Sequence, residues 1–309
     1  MDVKSAFLNG ELKKTIYVRQ PPGFLDNDNS GKVLHLHKSL CGLRQAPRVW
    51  KMKLDSTLLS LKFKRCAFKH DMYTHAHGKQ RLIVGVYVND LIITRGDMEV
   101  LGRFKREMSK NFKMSDLGVL SYYLGIEVQQ STTGITICQG AYAKKLLDTA
   151  GLADSNPTST PIEARLQLRK ARTTTTVYST NYRSIVGSLH YLVNTRSDLT
   201  YSVGYVSRFM EAPREEHLVA VKRILHYVAG TRGWGVRYCT WRGKEKLQLV
   251  GYSDSDMAGD VDDRKSPSRM IYFLSGGSIC WQSTKQKVFA LSSYEAEYIA
   301  VSMAATQWV

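Results

Sequence analysis

Apolar positions along this chain change their period several times, and each change marks an element. From Gln45 to Leu61, Trp50, Leu54, Leu58 and Leu61 recur at helical spacing, and Pro47 falls in the first turn, where its missing N–H costs nothing; one amphipathic helix is predicted. Upstream, IYVRQ (Ile16 to Gln20) stops at Pro21-Pro22-Gly23, and VLHLHK (Val33 to Lys38) follows the polar turn DNDNSGK, so both read as strands. Arg81 to Thr94 reads RLIVGVYVNDLIIT, two β-rich runs joined at Asn89-Asp90, which predicts a hairpin with a carboxylate at its tip. A charged helix over Asp97 to Phe112 follows. YYLGIEVQQ and ITICQ then form a second hairpin around Ser-Thr-Thr-Gly, and AYAKKLLDTAGL a short helix closed by Gly151.

Periodicity fades from Ala153 to Asn181, a stretch rich in Ser, Thr, Asn and Pro that holds Thr173 to Thr176 and the basic cluster Arg169, Lys170 and Arg172. A linker and domain boundary are expected there. Helical spacing returns in EAPREEHLVAVKRILHYVAG, with Pro213 near its start, Leu218, Val221, Leu225 and Val228 on one face and Gly230 at its end. From Leu247 the order is strand (LQLVGYSD), acidic loop (SDMAGDVDD), strand (MIYFLSG), strand (SICWQS) and a helix from Ser293. No repeat of fixed period occurs, which excludes a solenoid. The pattern is that of an α+β protein built from successive α+β units.

Composition sharpens this. The 309 residues are 43% hydrophobic and 23% charged, ordinary globular usage rather than the depleted composition of a disordered chain. The 44 Lys and Arg against 27 Asp and Glu leave a net charge of +17, a field that favours polyanionic partners such as nucleic acid. No apolar run approaches the roughly 18 residues of a membrane span, and MDVKSAFLNGELKK lacks the order of a signal peptide, so a soluble intracellular protein is expected. Cys41, Cys66, Cys138, Cys239 and Cys280 are scattered without CxxC spacing, and are expected to be reduced and unpaired.

For chemistry, two carboxylates on separate segments attract notice: Asp2, which opens the strand-like DVKSAF, and Asp90 in the hairpin. A polymerase needs such a convergence to hold divalent cations between an attacking hydroxyl and a triphosphate. Alone, each reads more simply as a turn or strand residue. The surrounding words add more. MDVKSAFLNGELKKTIYVRQPPGF, HKSLCGLRQAPRVW, YVNDLIIT, YYLGIEV, RFMEAPREEHLVAVKRILHYVAGT and SSYEAEYIA resemble, in order, the signatures of copia-type retrotransposon Pol polyproteins, across nearly the whole chain.

That resemblance implies a reverse-transcriptase palm-type antiparallel sheet with packed helices over residues 1–160, lacking its N-terminal fingers, a helical connection over 161–245, and an incomplete ribonuclease H-like domain over 246–309. It implies RNA-directed DNA polymerase and ribonuclease H activities by two-metal transfer with Mg²⁺, or Mn²⁺, acting on an RNA template, a DNA/RNA hybrid and deoxynucleotides. Its setting would be a cytoplasmic virus-like particle or the nucleus.

In the family's hairpin, YVDD, the first Asp holds the metals; here that position is Asn89, followed by Asp90. Replacing a carboxylate with an amide removes a unit charge that two cations require, so an impaired polymerase is expected. Asp2 looks like the sheet-borne metal ligand, Phe7 like the aromatic gate against a 2′-hydroxyl, and Gln45 like the residue touching the incoming nucleotide. Otherwise Phe7 would be a core residue and Gln45 a cap or surface residue.

Asp254 and Glu297 resemble the ribonuclease H Asp and helix-borne Glu metal ligands, whereas Glu295 would point about 200° away on the helix. Asp256, Asp260, Asp262 and Asp263 are expected to form a solvated acidic loop. Arg269 stands where the family has Gly, which predicts a strained turn. LKFKRCAFKH offers lysines for phosphates and Phe63 or Phe68 for base stacking, although such aromatics are more often core. His35, His37, His75 and His77 read as strand and turn residues rather than metal ligands. The reading from another class is a non-catalytic nucleic-acid-binding remnant that relies on the +17 surface.

Overall fold

A computed structural model describes residues 1–24, 31–77, 80–94, 97–170, 174–240 and 246–308. The 26–30 part of the DNDNSGK turn, Arg172 and Thr173 lie outside the described residues. The fold is α+β, and contact density divides it into two compact units, Met1–Leu120 and Ser121–Val309.

The first unit is built on a six-stranded antiparallel sheet. In chain order its strands are β1 (Asp2–Val3), β4 (Lys64–Arg65), β5 (Met72–His77), β6 (Gln80–Tyr87), β7 (Asp90–Ile93) and β8 (Met114–Ser115); a separate ribbon is formed by β2 (Tyr17–Val18) and β3 (Leu34–His35). The sheet order is β4-β5-β6-β7-β1-β8, so the N-terminal strand sits between β7 and β8. Against it pack α1 (Ala46–Ser60) and α2 (Met98–Asn111). The helical spacing read in the sequence is what buries α1: Trp50, Leu54 and Leu58 join Val3, Phe63, Tyr73, Leu82, Val84, Leu91, Phe104, Met108 and Phe112 in one core. Each such side chain contributes about 1.5–3 kcal/mol on burial, which holds the helices to the sheet. Asp97 caps α2, its Oδ1 accepting the Glu99 N–H at 2.8 Å.

A 3-10 turn, Ala6–Asn9, follows β1, and Gly10 passes so close to α1 that a Cβ there would lie 2.7 Å from Val49 Cγ1. Phe63 is core, as the simpler reading had it, while Phe68 is 95% exposed. His75 and His77 lie in β5.

In the second unit β9 (Tyr122–Tyr123), β10 (Ile126–Ser131), β11 (Gly134–Cys138) and β12 (Gly235–Cys239) form a sheet in the order β12-β11-β10-β9. Helices α3 (Gly140–Thr149), α4 (Ser179–Leu192), α5 (Thr200–Val206) and α6 (Glu215–Gly230) bury Leu147, Tyr182, Val186, Leu189, Val203, Val206, Val221, Ile224 and Val228 in a common core. Leu168, from the Ser/Thr-rich stretch expected to be a linker, is buried in that same core, which therefore runs across residue 160. Gly151, at φ +68°, follows α3 as expected.

A second sheet, β13 (Leu249–Ser255), β14 (Pro267–Leu274) and β15 (Gly277–Lys285), is packed by α7 (Ser293–Trp308). The turn strain expected at Arg269 is not found. The residue lies inside β14 in ordinary extended conformation, opposite Asp254, which its Nη1 meets at 3.0 Å, and its guanidinium stacks 4.2 Å from the Tyr201 ring centre. All five cysteines are unpaired. Among the described residues no helix is long and apolar enough to cross a membrane.

Candidate functional site

The hairpin of β6 and β7 turns one residue earlier than its sequence suggests. Tyr87 pairs with Asp90, so the loop is Val88-Asn89 and Asp90 already belongs to the strand. Val88 carries a φ of +53°, a left-handed conformation that a β-branched residue rarely adopts. What fixes it is visible: the Val88 carbonyl accepts the Trp50 indole N–H at 2.6 Å, which anchors the tip to α1. That tie was not foreseen from the sequence, because only the folded packing brings position 50 under position 88.

With the hairpin in this register, Asp90 stands directly across from Asp2. The flanking bonds run from Val3 N to Asn89 O at 2.9 Å and from Leu91 N to Met1 O at 2.8 Å, so Asp2 and Asp90 form a non-hydrogen-bonded antiparallel pair. Such pairs bring their side chains closest and on the same face of the sheet. Two carboxylates separated by 87 residues thus share one patch.

The Asp2 carboxylate is fully engaged. Its Oδ1 accepts the Asn89 Nδ2 amide at 2.6 Å, and its Oδ2 meets the Lys4 ammonium at 2.6 Å. The carboxylate has no proton to give, so Asn89 must present its nitrogen, and its own oxygen points elsewhere. The Lys4 ammonium first, and the Asn89 amide after it, hold the Asp2 carboxyl below the usual carboxylate range.

Phe7 lies in the 3-10 turn after β1 and packs, partly buried, against the first unit's core. Gln45 immediately precedes α1 and makes no side-chain cap bond.

In the second unit Asp254 sits on β13, exposed and paired with Arg269. Glu297, on α7, accepts the backbone N–H of Ser255 at 3.1 Å, which brings its carboxylate to the residue beside Asp254. Glu295 is a cap: its Oε2 accepts the Leu291 N–H at 2.6 Å while its own N–H bonds Ser292 Oγ at 3.1 Å.

The acidic loop departs from expectation at one residue. Asp260 is buried rather than solvated. It meets Lys285 Nζ at 2.9 Å and Arg208 Nη1 at 3.1 Å, and accepts the N–H groups of Asp262 and Asp263 at 3.0 and 3.2 Å. Burial alone would raise its pKa, but Lys285 and the two N–H groups outweigh it and hold the group at about 2. Nothing local in the sequence separates Asp260 from its neighbours, because its cations come from α5's continuation and from β15.

Among the described residues no three His, Cys, Asp or Glu side chains gather as a metal-binding group. A pair of divalent cations brings four positive charges, against which Asp2 and Asp90 set two negative ones. The donor set fits one divalent cation held by one or two carboxylates, not two.

Residues 1–164 match the family described as reverse transcriptase (RNA-dependent DNA polymerase). The chain is 39% identical to the Retrovirus-related Pol polyprotein from transposon RE1 of Arabidopsis thaliana, over 100% of this chain and 21% of that protein. It is 40% identical to the corresponding polyprotein from transposon TNT 1-94 of Nicotiana tabacum, over 98% of this chain and 23% of that protein. With a putative transposon Ty5-1 protein of Saccharomyces cerevisiae it shares 34% identity over 98% of each. The chain therefore spans about a fifth of the length of the two plant polyproteins and nearly all of the yeast protein.

Proposed function

Because the chain belongs to the copia-type reverse transcriptase (RNA-dependent DNA polymerase) family, we propose that it is the polymerase portion of a retrotransposon Pol, with nucleotidyl transfer centred on Asp2 and weakened by Asn89. The observation that carries this reading is the facing pair of Asp2 and Asp90 with the Asn89 amide on Asp2. Asp2 and Asp90 would hold the cation, with Lys4 first drawn off Asp2. When bound, a divalent cation supplies charge neutralisation for the attacking oxygen and the phosphates.

The protein's own residues do the rest. The Val88-Asn89 loop, pinned by Trp50, fixes where Asp90 stands. Phe7, at the start of the neighbouring turn, is assigned to the sugar face of a deoxynucleotide, and Gln45 to its base or phosphate. An RNA template, a DNA/RNA hybrid and deoxynucleotides are the proposed partners, with residues 1–160 as palm and thumb and 161–245 as connection. A virus-like particle or the nucleus is the proposed setting.

The same proposal makes 246–309 a ribonuclease H-like domain using Asp254 and Glu297. One oxygen of each is engaged, Asp254 Oδ2 by Arg269 and Glu297 Oε1 by the Ser255 N–H, so these two carboxylates alone are a poor cluster for hybrid cleavage.

Primer extension on an RNA template with Mg²⁺ or Mn²⁺ tests the polymerase reading. The natural chain is expected to extend at least about a hundredfold more slowly than Asn89→Asp, a difference of about 2.7 kcal/mol in transition-state stabilisation. Extension by the natural chain as fast as by Asn89→Asp overturns the proposed impairment, and absence of extension from both counts against the polymerase assignment itself. A non-catalytic nucleic-acid-binding role is favoured by one observation, the +17 net charge.

A further inference from the structure

Lys4 is placed to do more than decorate a strand. It stands in the turn immediately after β1, its N–H donating to the Lys113 carbonyl at 2.9 Å. From there its side chain turns back to the Asp2 carboxylate, which its ammonium meets at 2.6 Å. There its ammonium covers one oxygen of Asp2 while the Asn89 amide covers the other. Between them the two donors occupy both oxygens of a carboxylate that would otherwise be open to a cation.

The two donors differ in how easily they can leave. Asn89 is held by its place in an anchored two-residue loop. The Lys4 side chain is 51% exposed on a flexible four-carbon stem, against 17% for Asp2, and an exposed ion pair of this kind is weak. An ammonium is also a mobile point charge well suited to phosphate oxygens.

We propose that Lys4 is a switchable positioning residue: it neutralises Asp2 in the resting protein and transfers to the phosphates of a nucleoside triphosphate, which frees Asp2 Oδ2 for a divalent cation. The proposal deepens the polymerase reading and rests on it for the triphosphate. It lowers the negative charge of the empty site by one unit, and couples exposure of the cation ligand to arrival of the polyanion. Cation and triphosphate then bind cooperatively, because each relieves the ion pair that opposes the other.

Two binding measurements on the full chain test this. Free Mn²⁺ is followed by electron paramagnetic resonance without nucleotide, and a non-hydrolysable nucleoside triphosphate is titrated with Mn²⁺ present. Lys4→Met is expected to tighten Mn²⁺ by up to about fivefold, since a weak competitor is removed. The same variant is expected to weaken the triphosphate by about tenfold, and Lys4→Arg to keep both values near those of the natural chain.

These opposite signs separate the switch from a structural role, which would weaken both; a simple field effect gives the same signs but leaves the Lys4 ammonium where it is. For that last point the ¹⁵Nζ resonance of Lys4 is expected to shift when Mg²⁺ and triphosphate are added together. Unchanged Mn²⁺ affinity in Lys4→Met overturns the neutralising role, and unchanged triphosphate affinity overturns the transfer. A natural chain that binds no triphosphate sinks the transfer and the polymerase reading together, while the Mn²⁺ comparison still decides the neutralising role. Circular dichroism melting of each variant identifies any that fail to fold, and Lys4→Gln then replaces Lys4→Met.

Discussion

An amide and a carboxylate at position 89 differ by one unit of charge, and the neighbours make that unit count. In the natural chain the Asn89 nitrogen donates to Asp2. Asn89→Asp replaces that donor by a third carboxylate beside Asp2 and Asp90, with Lys4 and the Met1 ammonium to balance them. At roughly 4 Å, like charges repel by about 1 kcal/mol in water and about 4 at the effective dielectric of a protein surface, so the variant is expected to lose between about 1 and 4 kcal/mol without cation. Millimolar Mg²⁺ should restore most of that loss, because a ligand that binds only the folded chain stabilises it. The natural chain should gain little. Thermal melting with and without Mg²⁺ checks this, and equal Mg²⁺ responses in the two proteins would refute the charge argument.

Asp260 gives a prediction in pH. Its folded pKa is depressed to about 2, below the ordinary carboxylate value, so its contribution is complete above the unfolded value and is lost as pH falls from about 4 to about 2. Arithmetic on that shift gives about 2 kcal/mol for this nearly buried group. Asp260→Asn is expected to remove a similar amount at neutral pH, leaving Lys285 with Asp263 and Arg208 without its carboxylate. Urea unfolding at pH 7 and pH 3 checks both signs: the difference between natural chain and variant should shrink at the lower pH.

Within elements, the β6-β7 hairpin stores strain at one residue. Val88 holds φ +53° and is 46% exposed, so Gly in its place would lose little packing and relieve a left-handed β-branched residue. Against this stands the greater freedom of Gly in the unfolded chain. The net expectation for Val88→Gly is stabilisation by about 0.5–1 kcal/mol, read as a higher urea midpoint at unchanged slope; a lower midpoint would mean that the Val88 side chain matters to the tip.

The same elements show what the sequence makes legible. Helix α1 was readable because Trp50, Leu54 and Leu58 announce their own face, whereas the Asp2–Asp90 meeting was expected through the family resemblance of the words around them, since local signals alone left each a strand or turn residue. Helix α4 was not, although Tyr182, Val186 and Leu189 stand at helical spacing, because the Ser- and Thr-rich residues before it argue for a linker. Strand β12 was hidden for another reason: its partner β11 lies about a hundred residues earlier, and a five-residue strand is chosen by its partner more than by its composition. At the site, Lys4 and Trp50 were missed because a sequence names residues but does not say which ones share a face or a hydrogen bond.

For the molecule as a whole, the excess of 17 positive charges is a statement about partners, since a field of that sign adds nothing to the fold. Binding to an RNA strand by this field releases counterions, so affinity must fall with salt in proportion to the phosphates neutralised. Four phosphates on a single strand correspond to a loss of on the order of fiftyfold between 50 and 200 mM salt. Phe68 allows the charge and the base contributions to be separated. It is 95% exposed, next to the exposed residues Lys64, Arg65 and Lys69, the arrangement in which a ring is open to stack on a base while the cations follow the backbone. Phe68→Ala should therefore weaken single-stranded RNA binding by about 1–3 kcal/mol and leave the salt slope unchanged, because it removes stacking and no charge. Fluorescence anisotropy across a salt series checks both numbers. If the slope is flat, the charge has no bearing on nucleic acid; if the slope is steep but Phe68→Ala binds as well as the natural chain, the exposed ring serves something other than a base.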